Sequence, residues 1–185
     1  MSRLALWQGA TIDEEATRIL KETEARWGKL PNMTRALALW PDLLKAEEHW
    51  TQTILHAGKF PPKFKEAIAV AVAAARKSVY VASARAHRME KEGENPEKVA
   101  KALELDFAKF DAGERAVLGL AVKAATDPKG VTDRDFNVLR GFYSPVEVLE
   151  AFAAISAAVG FCTLADLLAL KVDEGLDRGL AAKWK

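Results

Sequence analysis

One stretch, Pro61 to Gly93 (PPKFKEAIAVAVAAARKSVYVASARAHRMEKEG), concentrates the side chains able to do chemistry. Glu66 lies in its first half; Ser78, Tyr80, Ser83, Arg85 and His87 lie in its second. Ser78, Val81 and Arg85 fall at i, i+3 and i+7, a spacing that stacks them along one stripe of a helix. Tyr80, Ser83 and His87 form a second stripe of the same spacing. A carboxylate set in an apolar helix has its proton affinity pushed up, which makes Glu66 a candidate general acid or base. Arg85 is a permanent cation that can grip a carboxylate in two-pronged fashion. It can equally neutralise Glu66 in the interior as a structural ion pair. Both readings of the Glu66–Arg85 pair stay open on the sequence. Tyr80 and His87 join Arg85 as candidate ligand contacts. His87 stands about 200° around the helix from Arg85, so it reads first as an exposed or interface residue.

Other reactive side chains are sparse. His49 and His56 are seven apart on one helical stretch, but no Asp, Glu or Cys grouping completes a metal set, and they read as surface or groove residues. Cys162 is the only cysteine. It sits in the most apolar segment, where a thiol is usually an inert packing group. Trp40 and Trp50 flank one helix and read as core or subunit-contact residues. No metal and no cofactor is implied.

The elements that position these residues are helical throughout. Thr11 with Glu14 forms a capping-box pattern, and Ile12, Ala16, Ile19, Leu20 and Trp27 then mark one apolar face ending at Gly28. A short helix carries Met33 and Leu37 to Trp40, and Pro41 opens the next, which ends at Gly58. Pro61-Pro62 breaks the chain before an almost wholly apolar helix, expected to be buried. Ser78 is placed to cap the helix that ends at Gly93. Asn95-Pro96-Glu97, Asp111 with Glu114, Thr132, and Ser144-Pro145-Val146-Glu147 open four more. The last of these runs through FAAISAAVGFCTLADLLAL and is expected to be the most buried element, with Gly160 marking a close helix approach. The charged tail after Val172 suggests a short docked or frayed helix. The predicted class is all-α.

At 185 residues the chain predicts one domain burying roughly 70% of its unfolded surface. A net charge of +1 with both signs interspersed gives no electropositive field for nucleic acid. Glu147, Glu150 and Asp166 bracket the longest apolar run, so no membrane span is expected. The N-terminus lacks a signal-peptide pattern, and with a single cysteine a cytoplasmic protein is the default.

The order of these signals resembles the alkylhydroperoxidase D-like (AhpD-like) proteins of the carboxymuconolactone decarboxylase superfamily, especially the peroxidase-related branch. The segments LPNMTRALALWPDLLKAEEHW, PPKFKEAIAVAVAAARKSVYVASARAH and FDAGERAVLGLAVKAATDPKGVTDRDFNVLRGFYSPVEVLEAFAAISAAVGFCTLADLL carry the likeness, over about residues 28–171 of a single domain spanning 1–185. The resemblance implies an AhpD-like helical bundle, assembly as a dimer, trimer or hexamer, and peroxide reduction at an E…CxxCxxxH site. Carried over by position, the glutamate is Glu66, the cysteines fall on Ser78 and Val81, and the histidine on Arg85. Tyr80 precedes the second cysteine position, where the family often has an aromatic residue or a histidine. A dithiol mechanism needs one thiolate to attack and a second to resolve, and neither serine nor valine supplies one. Dithiol catalysis is therefore excluded.

Three readings follow, and whether the chain is an enzyme is left open among them. The first is a redox-inactive oligomeric ligand-binding or structural homologue of these antioxidant proteins. The second is a cysteine-independent acid–base enzyme acting on a small carboxylated substrate through Glu66 and Arg85, as on the decarboxylase side of the superfamily. The third is a one-cysteine peroxidase working through Cys162. An open pocket beside Glu66 and Arg85 would favour a ligand binder or enzyme, and a closed pair a structural protein.

Overall fold

A computed structural model describes residues 2–184, so the two end residues of the expected 1–185 domain lie outside it. The described residues form ten α-helices and no strand, as the sequence predicts. They are α1 Glu14–Trp27, α2 Asn32–Leu37, α3 Pro41–His56, α4 Pro62–Ala75, α5 Val79–Lys91, α6 Pro96–Leu103, α7 Ala112–Thr126, α8 Asp133–Arg140, α9 Pro145–Leu168 and α10 Leu180–Lys183, with a 3-10 turn at Pro128–Gly130.

The bundle is built around α4. Every residue from Phe64 to Ala74 is buried, because small apolar side chains on all sides let α5, α6, α7 and α9 close in on it. This corrects the expectation that α9 would be the most deeply buried helix. Along α9, Val148, Ala151, Ile155, Ala158, Cys162 and Ala165 face the core, whereas Val146, Leu149 and Leu167 are exposed. Gly160 is exposed as well, and a Cβ added there would meet nothing within 4 Å, so it marks no close helix approach. α9 is long and apolar enough by length and composition to cross a membrane, contrary to the sequence expectation. Glu147, Glu150 and Asp166 lie too near its ends to interrupt the apolar run between them. Here that run packs its inner face on α4, α5 and α7.

The helix starts follow local chemistry. Asp111 with Glu114 and Ser144 with Glu147 make full capping boxes, and so does Thr132 with Asp135. At α1 the cap is Asp13 instead of Thr11: its carboxylate accepts the Ala16 N–H at 3.0 Å. The α4–α5 corner, which sets the spacing between Glu66 and Arg85, is a Schellman turn. Ser78 N–H donates to Ala73 O at 2.9 Å and Lys77 N–H to Ala74 O at 3.0 Å. Lys77 takes the left-handed conformation, φ 54°, usually reserved for glycine. The C-terminal tail is docked: Leu180 is buried, and Arg178 makes two hydrogen bonds to Glu90 on α5. Trp40 and Trp50 are both exposed, so neither packs the core of this chain.

Candidate functional site

α4 and α5 pack side by side and bring Glu66 against Arg85. Glu66 is 1% exposed, and its Oε2 lies 3.5 Å from an Arg85 guanidinium nitrogen. A second cation, Arg88, approaches Glu66 Oε1 at 4.0 Å. Burial pushes the Glu66 carboxyl above the ordinary glutamate range, against the pull of Arg85 and then Arg88. Glu66 Oε2 has no hydrogen-bond partner.

Arg85 faces outward from this pair into a cavity of about 120 Å³ between α1, α2, α3, α5 and α9. Trp27 of α1, Leu37 of α2, Leu44 and Leu55 of α3, Val81 of α5 and Phe161 of α9 supply apolar wall. Aromatic faces steady the cations: the Arg85 guanidinium carbon sits 5.1 Å from the Phe161 ring centre, and that of Arg88 5.6 Å from Trp27. Most polar groups at the cavity are already engaged. Arg26 is joined to Glu48 at 2.7 Å and Arg88 to Glu92 at 2.7 Å. A narrower space of about 20 Å³ continues past Arg85 and Phe161 toward Lys65, walled by alanines of α4 and α9 and by Thr51, Ile54 and Leu55 of α3.

Two side chains at this site were not singled out from the sequence: Arg88 and Glu47. Arg88 stands three residues beyond Arg85, and so on the same helical stripe. Glu47 of α3 lines the cavity with a buried, unpartnered Oε2. Burial raises its pKa, and among the described residues Arg85 is the cation that pulls it down. Its signal was a carboxylate on the buried face of α3, at i+3 from Leu44 and i−7 from Ile54.

The remaining expected site residues are arranged as follows. Tyr80 and Val81 join Arg85 at the cavity. The Tyr80 hydroxyl is fully used: it donates to Asp173 Oδ2 at 2.9 Å and accepts the Met33 N–H at 2.9 Å. Burial, then the Asp173 charge, drives its pKa upward. Asp173 also accepts the Asn32 N–H at 2.8 Å, so this network ties the tail to α2. Ser78 occupies the N-cap position of α5 but makes no cap bond; its hydroxyl donates to Asp166 Oδ1 at 2.7 Å, away from the cavity. Ser83 is buried, with its hydroxyl unpartnered. His87 is half-buried beside the Trp27 ring, 6.1 Å between centres, and does not line the cavity; burial, then Lys91, lowers its pKa. His56 reaches the cavity rim, while His49 is exposed elsewhere on α3. Cys162 is buried on α9, and burial pushes its thiol up to about 11. Among the described residues no three His, Cys, Asp or Glu side chains cluster as a metal set.

No protein-family model matches the chain, and no curated protein does. Solved structures do. An uncharacterized peroxidase-related protein with an alkylhydroperoxidase AhpD core, from Ralstonia eutropha JMP134, superposes with a TM-score of 0.87 at 19% identity, over 95% of this chain and 94% of that one. An uncharacterized peroxidase-related protein from Silicibacter sp. TM1040 gives 0.86 at 18% identity, over 94% and 92%. A cysteine-to-alanine variant of the debrominase Bmp8, in complex with 2,3,4-tribromopyrrole, gives 0.85 at 22% identity and covers both chains fully. The chain thus has the AhpD-like all-α fold.

Proposed function

We propose that this chain is a redox-inactive, ligand-binding protein of AhpD-like fold that holds a small acidic molecule with a ring-sized apolar body against Arg85. The observation that carries this is the placement of Arg85. It is paired to Glu66 behind it at 3.5 Å, yet forms part of the wall of an otherwise largely apolar cavity of about 120 Å³. The cavity is of the order of an engineered apolar one of roughly 150 Å³ that accepts benzene. A guanidinium against such a wall suits a carboxylate or other oxyanion on a flat ring. The Bmp8 complex shows a protein of this fold taking a small ring compound. Thiol chemistry has no support here: two positions are serine and valine, and Cys162 is buried with a thiol pushed to about 11.

A second reading, an acid–base enzyme acting on a small carboxylated substrate, is favoured by one observation. Glu66 and Glu47 are both carboxyls whose pKa burial raises, with Arg85 acting on each, a shift in the direction that suits a general acid or base. The chain is also proposed to work as an assembly of copies, through the exposed apolar face of α9.

Calorimetric titration with benzoate tests the main reading. Wild type is expected to bind in the millimolar range or tighter, and Arg85→Met to weaken binding at least about tenfold, as expected for a lost charge-assisted contact of ~1.5–3 kcal/mol. No binding at millimolar benzoate overturns the reading.

A further inference from the structure

The charges around the cavity do not balance once an anion enters it. Arg26 is taken by Glu48, and Arg88 is shared between Glu92 and Glu66. Arg85 is left with Glu66 paired behind it and with Glu47 of α3 lining the same cavity. These two are not equivalent. Glu66 keeps Arg88 at 4.0 Å as a second cation, whereas among the described residues only Arg85 acts on Glu47. A ligand carboxylate seated on Arg85 therefore competes with Glu47 for its one compensating charge. Glu47 Oε2, buried and without a partner, is free to carry a hydrogen.

We propose that the cavity takes its acidic ligand together with one proton, and that Glu47 carries that proton. This rests on the reading above that Arg85 holds the acid. The step forms one O–H bond at Glu47, with the proton drawn from solvent, and leaves the ligand a carboxylate with all its bonds intact. Neutral Glu47 then donates a hydrogen bond toward the bound anion in place of repelling it. The ligand class narrows to small monocarboxylic acids with an apolar ring, because Arg26 and Arg88 at the cavity are already paired and a second ligand charge would find no free cation there among the described residues.

The other ionisable groups around Glu47 do not share this position. From α1 comes Arg26, already paired; from α5 come Arg88, paired, and Tyr80, whose hydroxyl is committed to Asp173. On α3 itself Glu48 is paired to Arg26, and His56 stands about two and a half turns on at the exposed rim. α2 and α9 bring no ionisable side chain to the cavity. Burial raises the Glu47 carboxyl above the ordinary glutamate range, the direction that favours proton uptake.

Benzoate titration calorimetry in two buffers of different ionisation enthalpy, between about pH 5.5 and 8, counts the protons directly. Wild type is expected to take up about one proton per benzoate above the pKa of free Glu47, with affinity falling about tenfold per pH unit there. The wild-type count needs no variant, so it stands even if a substitution unfolds the protein. Glu47→Gln is expected to bind with an uptake near zero and an affinity independent of pH, while Glu66→Gln and His56→Gln retain the uptake. Zero uptake in wild type overturns the proposal, as does uptake that survives in Glu47→Gln or vanishes in Glu66→Gln or His56→Gln. Equal binding by wild type and Arg85→Met removes the Arg85 clamp itself, and the proposal with it. Loss of binding in Arg85→Met with no proton uptake in wild type leaves the clamp standing and sinks this proposal alone.

Discussion

Glu66 shows what a buried carboxylate does to the pH dependence of a fold. Its folded pKa is raised, by burial first, above the value of about 4.3 for a free glutamate. Between those two values the folded state binds more protons than the unfolded state, so stability falls as pH rises through that window. Stability from this group is fully present below the unfolded value and lost above the folded one. Glu66→Gln is expected to flatten that decline by up to ~1.4 kcal/mol per pH unit, read from urea midpoints measured across the acid-to-neutral range. Glu47 and Asp173 are raised too, burial again being the main cause, so the slope shrinks without vanishing. A slope unchanged in the variant would mean that Glu66 stays ionised and fully balanced by Arg85 and Arg88. The meeting of Glu66 with Arg85 was legible because a short turn between two helices leaves few arrangements, and the family likeness pointed to the same pair. The cation Arg88 was readable on the same grounds. Glu47 was not tied to them, because nothing local says which face of α3 will rest against α5, some forty residues later in the chain.

At the scale of elements, a buried clip fixes α3, α4 and α9 to one another beneath the cavity. Lys65, 1% exposed, pairs with Glu150 Oε1 at 2.6 Å and donates to Ala57 O. The same Glu150 carboxylate accepts the N–H groups of Lys59 at 2.9 Å and Phe60 at 3.0 Å. Burial works against the Glu150 charge, but Lys65 and the two backbone donors prevail and keep its pKa below the ordinary value. Gly58 is required beside it: its φ is 90°, and an added Cβ would fall 2.4 Å from the Glu150 carboxylate. Glu150→Ala strands a buried ammonium and two backbone donors, so a loss of ~3–5 kcal/mol is expected in urea unfolding. The double variant Lys65→Met/Glu150→Leu should recover most of it, since an apolar replacement removes both charges together. A single variant within ~1 kcal/mol of wild type would show that water reaches Lys65. Helix starts and stops were legible from caps, prolines and glycines, whose effects are local. This clip was not: Glu150 reads as a solvated residue near the start of a helix until α9 is seen lying over the α3–α4 loop. The misplaced expectation for α9 has the same origin. A helix apolar on every side reads as buried, and the pattern within one chain does not say what covers its outer face.

That outer face bears on the whole molecule. Val146, Leu149, Ala153, Ser156, Gly160, Thr163 and Leu167 recur at three- and four-residue spacing along one side of α9, with no charge among them. Val146 is 66% exposed and Leu149 67%. A stripe from Val146 to Leu167 runs about 30 Å at the α-helical rise, longer than the scattered apolar residues that an ordinary surface carries. Its centre is small residues, so a second α9 can approach closely, and its ends are large aliphatics able to fill the space beside such a contact. Phe161 and the alanines at 154, 157 and 158 connect this helix to the space beside Arg85, so a partner seated on α9 would also shield that end of the site from water. On the proposal that copies of the chain assemble here, Leu149→Glu is the informative change. It places a charge on the exposed position of the stripe without touching the core, so the fold should stand, within about 0.5 kcal/mol of wild type in a monomer. Light scattering at micromolar concentration should then report wild type as a multiple of the 20.2 kDa chain and the variant at the mass of one. If wild type itself scatters as a single chain, the α9 face is not a self-association surface. If the variant keeps the wild-type mass, the copies meet through another face, with the exposed Trp40 and Trp50 of the α3 region the next to change.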